Sequence, residues 1–297
     1  MITERRRKWN RRSVAWTVKY IEENITEELT VNGIASQVQI SAFYFQKGFS
    51  MLCGYTVGEY IRKRRLSLAG GELLSSDIKI IDLAAKYGYD SPDSFTKAFA
   101  RFHGNTPTEV KKNGAPLKSF APLHIRLSLC GGKVMEYKIE EKPAFQVMGV
   151  AGMFSYETAN KDIPKYWDAL LLRKEKMPVA GMYGICFDEE MGGNRFRYMI
   201  ADDYRAEAVA QGGLTEWEIP AHTWAVFPCR GPMPDSLQEV NRRIFSEWLP
   251  ANSYEIAEGY NVEYYSDAAG YRDGMQDSAY YAEIWLPVRK KRSDSAC

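Results

Sequence analysis

The chain has 297 residues, of which 45% are hydrophobic and 26% are charged, a composition typical of a globular protein with room for two domains. It has no run of 18 apolar residues and no secretory signal, so neither a transmembrane helix nor export is expected. The five cysteines are widely spaced and the three histidines lack metal-ligand spacing. This predicts reduced thiols, a cytoplasmic location, no metal and no cofactor.

The net charge of +1 conceals an asymmetry between the two halves of the chain. Residues 1–130 contain 20 Lys and Arg against 12 Asp and Glu, a net charge of +8. Residues 131–297 contain 19 against 26, a net charge of −7. A basic half followed by an acidic half favours one domain that binds a polyanion and another domain with a different partner.

The basic half contains a duplicated unit. The stretch IASQVQISAFYFQKGFSMLCGYT (34–56) aligns with LAAKYGYDSPDSFTKAFARFHGNT (83–106), with small, apolar, basic and glycine positions in register. Apolar residues recur at helical spacing on both sides of a short turn in each copy. Each copy therefore predicts a helix-turn-helix unit.

Capping residues mark the ends of the predicted helices. Thr30 and Ser41 are the expected N-caps in the first copy, and Ser91 is the expected N-cap in the second. Gly54 and Gly104 stand where the C-terminus of a helix favours a positive φ.

A basic helix is predicted between the two copies. TVGE (56–59) is a capping box, and the run RKRR (62–65) gives the helix its charge. Gly70 and Gly71 are poor helix residues, so the length of this linker helix stays open.

The second helix of each copy is predicted to present its outward face to DNA. Those outward side chains are Phe43, Tyr44, Gln46, Lys47 and Ser50 in the first copy, and Asp93, Ser94, Thr96, Lys97 and Arg101 in the second. Gln can pair with adenine and Lys with guanine in the major groove. A solvated face is the alternative for one such helix, but duplication in a domain of charge +8 favours DNA binding.

Residues 14–112 resemble the DNA-binding domain of AraC/XylS-type transcription regulators, most specifically over DLAAKYGYDSPDSFTKAFARFHGNTPTEV. The resemblance implies an all-α domain whose two helix-turn-helix units, held by one linker helix, enter major-groove segments about 34 Å apart. The positions it assigns to bases are Phe43, Gln46 and Lys47 in the first unit and Asp93, Ser94 and Lys97 in the second. Thr96 and Arg101 complete the second DNA face. Arg62 and the other Arg and Lys residues of the linker helix, together with the arm 5–12, would contact phosphates.

After a linker predicted at 114–122, the acidic half alternates strands and helices. Strands are predicted within 134–154, 180–189, 195–204, 214–220, 223–231, 260–267 and 281–290, and helices at 162–176 and 236–250. The order predicts an α+β domain of two β-β-α-β-β halves with an antiparallel sheet.

Residues 134–290 resemble the GyrI-like effector-binding domain over IPAHTWAVFPCRG, EWLP, VEYYSD and AEIWLPV. The resemblance implies a cleft between the halves that binds small lipophilic or cationic compounds. It implies Glu263 as the anionic group, with Glu283 as the second candidate. Strand alternation places Glu263 and Tyr265 on one face and Val262 and Tyr264 on the other.

An aromatic cleft with one carboxylate suits a cation. The candidate lining residues are Tyr156, Trp167, Tyr183, Trp224, Tyr265 and Trp285. Ordinary core packing is the alternative for each aromatic residue, and a solvated or Arg-paired carboxylate is the alternative for Glu263.

Together these patterns predict a transcription regulator, an activator, with DNA-binding domain 1–113, linker 114–122, effector domain 123–291 and tail 292–297. Its expected partners are double-stranded DNA, a small effector and RNA polymerase, without a membrane, and it would act as a monomer or homodimer. Two alternatives stay open for the acidic half. It could be a hydrolase that uses Glu263 and Glu283 as acid and base, or a module without ligand that docks another protein.

Overall fold

The computed structural model describes residues 11–38, 40–124, 134–171, 179–187, 195–210 and 213–291. The tail 292–297 lies outside these ranges, as do the side chains of the arm 5–12. The described chain is helical up to residue 113, and from residue 138 onwards it contains a nine-stranded sheet. None of the helices in the described ranges has the length and apolar content that a membrane crossing needs.

The N-terminal part forms two helix-turn-helix units around a long helix. The helices are α1 (Arg11–Glu23), α2 (Val31–Gln37), α3 (Ala42–Cys53), α4 (Val57–Ser75), α5 (Ile80–Lys86), α6 (Pro92–His103) and α7 (Pro107–Asn113). Helices α2 and α3 form the first unit, α5 and α6 form the second, and α4 joins them, as the duplicated pattern predicts. Helices α1 and α7 were not identified in the sequence as separate elements.

The predicted caps are confirmed. The hydroxyls of Thr30, Ser41 and Ser91 each accept a backbone N–H from the first turn of the helix that follows. Gly54 and Gly104 end α3 and α6 with φ of 74° and 92°. Caps at these positions satisfy backbone groups that the helix leaves unpaired, which fixes where α3 and α6 begin and end.

The two units have separate cores, and the core of the first unit is continuous with that of the C-terminal domain. Phe45 and Phe49 of α3 are fully buried against α4, where Phe49 contacts Tyr60. Phe95 and Phe99 of α6 are fully buried in the second unit. These inward stripes orient both helices, so the opposite side of each helix is turned away from its own core.

The segment after α7 lies along α4 and does not leave the helical domain directly. The backbone N–H of Phe120 donates to Ser67 Oγ at 2.9 Å, and that of Leu123 donates to the Tyr60 hydroxyl at 3.3 Å. Asn105 Nδ2 donates to the carbonyl of Pro116 at 2.9 Å. The predicted linker is therefore attached to the helical domain, while the domain boundaries themselves stay a prediction.

The C-terminal part contains the predicted two halves. The first half comprises β1 (Lys138–Lys142), β2 (Phe145–Ser155), α8 (Ala159–Leu171), β3 (Tyr183–Phe187) and β4 (Arg195–Asp203), and is followed by α9 (Ala206–Val209). The second half comprises β5 (Thr215–Ile219), β6 (His222–Arg230), α10 (Asp235–Arg243), α11 (Leu249–Ala251), β7 (Tyr254–Ile256), β8 (Tyr260–Tyr265) and β9 (Tyr281–Lys290). A π-helical turn, Ile244–Trp248, interrupts the single helix predicted at 236–250. Helix α9 and strand β7 were not predicted.

The two halves exchange their first strands. All strand pairs are antiparallel, and the order is β1-β6-β9-β8-β3-β4-β2-β5, with β7 paired to β9. Strand β1 of the first half pairs with β6 of the second, and β5 of the second half pairs with β2 of the first. The central strands β3 and β8, one from each half, lie side by side.

The sheet has two different faces. We call the helix face the side that shares one core with Leu170 of α8, Leu237 of α10 and Phe245 of the π-helical turn. We call the aromatic face the opposite side, which holds a separate cluster that includes Tyr183 and Trp285.

Candidate nucleic-acid interface and effector site

The second predicted DNA face is accessible. Asp93, Ser94, Lys97 and Arg101 on α6 are exposed, and Thr96 is half-buried. They share one side of α6 because Phe95 and Phe99 occupy the other. The structure thus presents the α6 residues as the sequence predicts, and their contact with DNA stays a prediction.

The first predicted DNA face is covered. Phe43, Tyr44 and Gln46 are each only 2% exposed, and Lys47 and Ser50 are half-buried. The prediction that this face is free was wrong for the three buried residues. For Phe43 and Tyr44 the reason is that the C-terminal domain lies against the side of α3 that its own core leaves open.

Contacts between α3 and the C-terminal domain are specific. The Tyr44 hydroxyl donates to the carbonyl of Tyr260 at 2.7 Å, and Lys47 Nζ donates to Asn261 Oδ1 at 3.0 Å. The Phe43 ring meets the rings of Tyr156 and Phe196 edge-on, with centroids 6.3 and 6.4 Å apart. The Tyr44 ring lies 6.3 Å from that of Phe245. Helix α3 therefore touches both halves of the C-terminal domain.

The arginines of the basic linker helix α4 also form contacts within the protein. Arg62 forms an ion pair with Glu157 at 3.2 Å, which adds a second link between the domains. Arg64 is buried and pairs with Glu22 at 2.7 Å, while Arg65 donates to carbonyls of the segment before α2. Arg64 is thus not available to a phosphate, contrary to the expectation for the whole run 62–65.

Glu263 lies in the middle of the helix face, 8% exposed. Its Oε2 accepts a hydrogen bond from the Tyr265 hydroxyl at 3.0 Å and a longer one from the Tyr198 hydroxyl at 3.4 Å. Trp167 Nε1 of α8 donates to the Tyr198 oxygen at 2.9 Å. Glu263 and Tyr265 therefore lie on the same side of β8, as strand alternation predicts. Trp167 of α8 lies beside them.

The geometry of this cluster depends on Gly184. A Cβ at position 184 would stand 2.2 Å from the Tyr198 hydroxyl and 3.1 Å from Glu263 Oε2. Any side chain there would displace the Tyr198 ring, since real Cβ contacts are longer than 3 Å. Glycine at this point of β3 leaves room for the hydroxyl to reach the carboxylate.

The Glu263 carboxylate is held by hydroxyl donors. Among the described residues no Lys or Arg forms an ion pair with it. Burial first, and the charge of Glu263 second, raise the pKa values of Tyr198 and Tyr265 well above the usual range. Both hydroxyls therefore remain protonated and can donate. Burial without a paired charge is costly for a carboxylate, and a cation placed beside it would offset part of that cost.

Glu283 is on the other side of the sheet. In the β8–β9 register Glu263 stands opposite Ile284 and Glu283 stands opposite Tyr264, and directly opposed residues point to one face. Glu283 accepts hydrogen bonds of 2.6 Å from the Tyr281 hydroxyl and from Trp285 Nε1. Lys138 Nζ is 4.0 Å away.

The eight predicted ligand residues therefore do not form one cleft. Glu263, Tyr265, Trp167 and Tyr156 belong to the helix face, and Glu283, Tyr183, Trp224 and Trp285 belong to the aromatic face. The prediction of a common lining was wrong in this respect because the sheet separates the two sets. The same separation prevents Glu263 and Glu283 from acting as acid and base on one substrate. In the described ranges no three His, Cys, Asp or Glu side chains are placed to hold a metal ion.

Two neighbours of Glu263 were missed. Asn261 lies two residues earlier on β8 and so on the same face, where it is fully buried and bonded to Lys47. Strand alternation could have placed it there. Tyr198 comes from β4, and no local signal connects its position to Glu263.

Comparison with known proteins assigns both parts of the chain. Residues 138–288, half of the chain, match the family "Integron-associated effector binding protein", and residues 34–113 match the family "Helix-turn-helix domain". The HTH-type transcriptional activator AarP of Providencia stuartii is 37% identical over 89 residues, which are 30% of this chain and 66% of that protein. The regulatory protein SoxS of Salmonella typhimurium is 35% identical over 94 residues, 32% of this chain and 88% of that protein.

The match to a further relative spans both domains. The right origin-binding protein of Escherichia coli K12 is 22% identical over 286 residues, which cover 91% of this chain and 96% of that protein. Its match extends over the helical and the sheet-containing parts together. The chain belongs to the integron-associated effector binding protein family, of GyrI-like type, joined to an AraC-type helix-turn-helix domain.

Proposed function

We propose that this protein is a sequence-specific DNA-binding transcription regulator, an activator, that responds to a small lipophilic cation. The observation that carries the proposal is Glu263, a nearly buried carboxylate with tyrosine donors, in a chain that also carries two helix-turn-helix units. The name of the relative AarP, a transcriptional activator, supports the direction of regulation.

A cation fits the helix face for two physical reasons. The Glu263 charge is only partly compensated by hydroxyl donors, so charge pairing offsets the cost of its burial. The rings of Trp167 and Tyr265 stand next to it, 5.2 Å apart, and aromatic faces attract cations. Double-stranded DNA and RNA polymerase are the proposed macromolecular partners, in the cytoplasm, with the protein acting as a monomer or homodimer.

Sensing is favoured over catalysis by the placement of the carboxylates. A hydrolase that uses Glu263 and Glu283 as acid and base needs both at one substrate, and they lie on opposite faces of the sheet. An AraC-type domain in the same chain also favours a regulator.

DNA binding is tested with Lys97→Ala. A duplex of about 30 base pairs is selected from a random library with the wild-type protein, and binding is followed by fluorescence anisotropy at two salt concentrations. If Lys97 reaches a base or phosphate, its loss weakens binding by about tenfold and lowers the salt slope by about one. Lys290→Ala, which removes the same charge from an exposed position at the end of β9, is the control. Equal affinity and slope for Lys97→Ala and wild type would contradict the assignment of α6.

A further inference from the structure

The two recognition helices, α3 and α6, differ in how far their outward residues are exposed. The outward residues of α6 are exposed, apart from the half-buried Thr96, whereas Phe43 and Tyr44 of α3 are buried against the C-terminal domain and Gln46 is also buried. The major groove of B-DNA is about 12 Å wide and admits a single helix. Since the C-terminal domain covers the side of α3 that would enter, α3 cannot enter a groove in this arrangement.

Helix α3 lies over the junction of the two halves. Tyr44 and Lys47 reach Tyr260 and Asn261 at the start of β8, and the opposed residue of Asn261 on β3 is Cys186. The first half contributes Tyr156 and Phe196 to this contact, and the second contributes Phe245.

The α3 contact adjoins the Glu263 cluster directly. Asn261 and Glu263 are next neighbours on one face of β8, about 7 Å apart at two residues of strand rise. Cys186, which stands opposite Asn261 on β3, is close enough to Glu263 and Lys47 for both charges to act on it. Its pKa is raised by burial first and by Glu263 second, and the charge of Lys47 lowers it. A ligand of drug size that reaches Glu263 therefore meets the side chains of α3.

We propose that α3 and the effector compete for one site on the helix face. With α3 bound there, only the second helix-turn-helix unit can read DNA. An effector at Glu263 displaces α3 and frees the first unit, so that both recognition helices engage the operator. This inference rests on the proposed function and adds the way in which the effector site controls DNA binding.

The competition predicts a direction of coupling. If α3 must first be released, only the molecules with a free α3 can bind the full operator. The apparent affinity is then reduced by the fraction of molecules in that state. Weakening the α3 contact from the effector-domain side leaves the DNA-reading residues unchanged and should tighten operator binding. By linkage, DNA bound through both units should also favour effector binding.

The test uses Asn261→Ala and Glu157→Gln in the full chain. Asn261→Ala leaves Lys47 without its acceptor, and Glu157→Gln removes the ion pair with Arg62. Operator affinity is measured by anisotropy, and contact length is measured by hydroxyl-radical footprinting. We expect affinity to rise about tenfold for Asn261→Ala and about two- to fivefold for Glu157→Gln. We also expect a footprint longer by about one helical turn, because the second groove segment becomes occupied.

Glu255→Gln is the matched control. It removes the same charge from the effector domain at the ion pair with Arg289, 2.8 Å long, and so reproduces the change in net charge. It should leave affinity and footprint as in wild type. Glu157 is partly exposed, so its variant keeps the test decisive even where Asn261→Ala fails to fold.

The outcomes separate this inference from the proposed function. Tighter binding and a longer footprint for the α3-contact variants support the competition. Wild-type affinity and footprint length in folded Glu157→Gln and Asn261→Ala proteins would overturn it and leave the DNA-binding function standing. If wild type and variants all bind the selected duplex no better than a scrambled one, the proposed function fails and the inference fails with it.

Discussion

His103 joins three separate segments of the helical domain. Its Nε2 stands 2.9 Å from the carbonyl of Leu66 on α4, and its Nδ1 accepts the backbone N–H of Lys118 at 3.1 Å. The side chain is nearly fully buried. Burial, and then the charge of Lys118, lower its pKa, although the Leu66 carbonyl acts in the opposite direction. The neutral ring is the form that satisfies both contacts.

The depressed pKa of His103 predicts an acid-sensitive contribution to stability. Above the unfolded pKa of about 6.5 both states are neutral, and as the pH falls the unfolded state binds a proton before the folded state does. Stability is therefore lost between pH 6.5 and the lower folded pKa. Urea unfolding at pH 7.5 and 5.5 should show a larger loss for wild type than for His103→Gln. Equal losses in the two proteins would contradict this role.

The surroundings of Glu263 show what strand alternation can predict. The alternation of YNVEYYSD (260–267) correctly placed Glu263 and Tyr265 together. Tyr198 and Gly184 could not be predicted, because cross-strand neighbours depend on register between distant segments. The same limit explains why Glu283 was assigned to the same cleft. Its face follows from the β8–β9 register, which the sequence pattern does not show.

Helix α4 runs from Val57 to Ser75 through both of its glycines. A Cβ at Gly70 would stand 2.8 Å from His103 Cε1 and 3.2 Å from Leu117 Cδ1. A Cβ at Gly71 would meet nothing within 4 Å. Composition left the length of α4 open, and in the structure the helix continues through both glycines. Gly70 allows α6 to approach α4, whereas Gly71 has no such role.

The two glycines predict opposite effects of the same substitution. Gly71→Ala should stabilise the protein by about 0.5–1 kcal/mol, since Ala loses less backbone entropy in a helix interior. Gly70→Ala should destabilise it by about 1–3 kcal/mol, because the added methyl overpacks against His103. Thermal unfolding of the two variants beside wild type gives the comparison. Stabilisation by Gly70→Ala, or a loss of stability with Gly71→Ala, would contradict this packing of α4 against α6.

Local signals predicted elements better than their pairing. The capping box at Thr56 is formed with Glu59 as predicted, and it opens α4. The exchange of β1 and β5 between the halves was not predicted, since strand pairing joins residues far apart in sequence. Strand β7 was missed because it has only three residues.

At the scale of the whole molecule, the basic and acidic halves predicted two domains with different partners. They did not predict that the domains bind each other through α3. An aromatic and basic face is suitable for DNA, and it is equally suitable for an acidic domain that offers Asn261 and Glu157. Sequence alone does not distinguish these two uses of the same side chains. The helix face both contacts α3 and carries Glu263, so the two proposed uses meet on one surface.

The most direct test of this claim measures operator binding with and without tetraphenylphosphonium, an aromatic cation. Calorimetry first establishes the concentration that saturates the wild-type protein, with triphenylphosphine oxide as a neutral comparator. We expect the cation to tighten operator binding by wild type about 5- to 150-fold, the usual range of allosteric coupling. Glu263→Gln should show neither cation binding nor tightening. A saturating cation that leaves wild-type operator affinity unchanged or weaker would contradict the shared site.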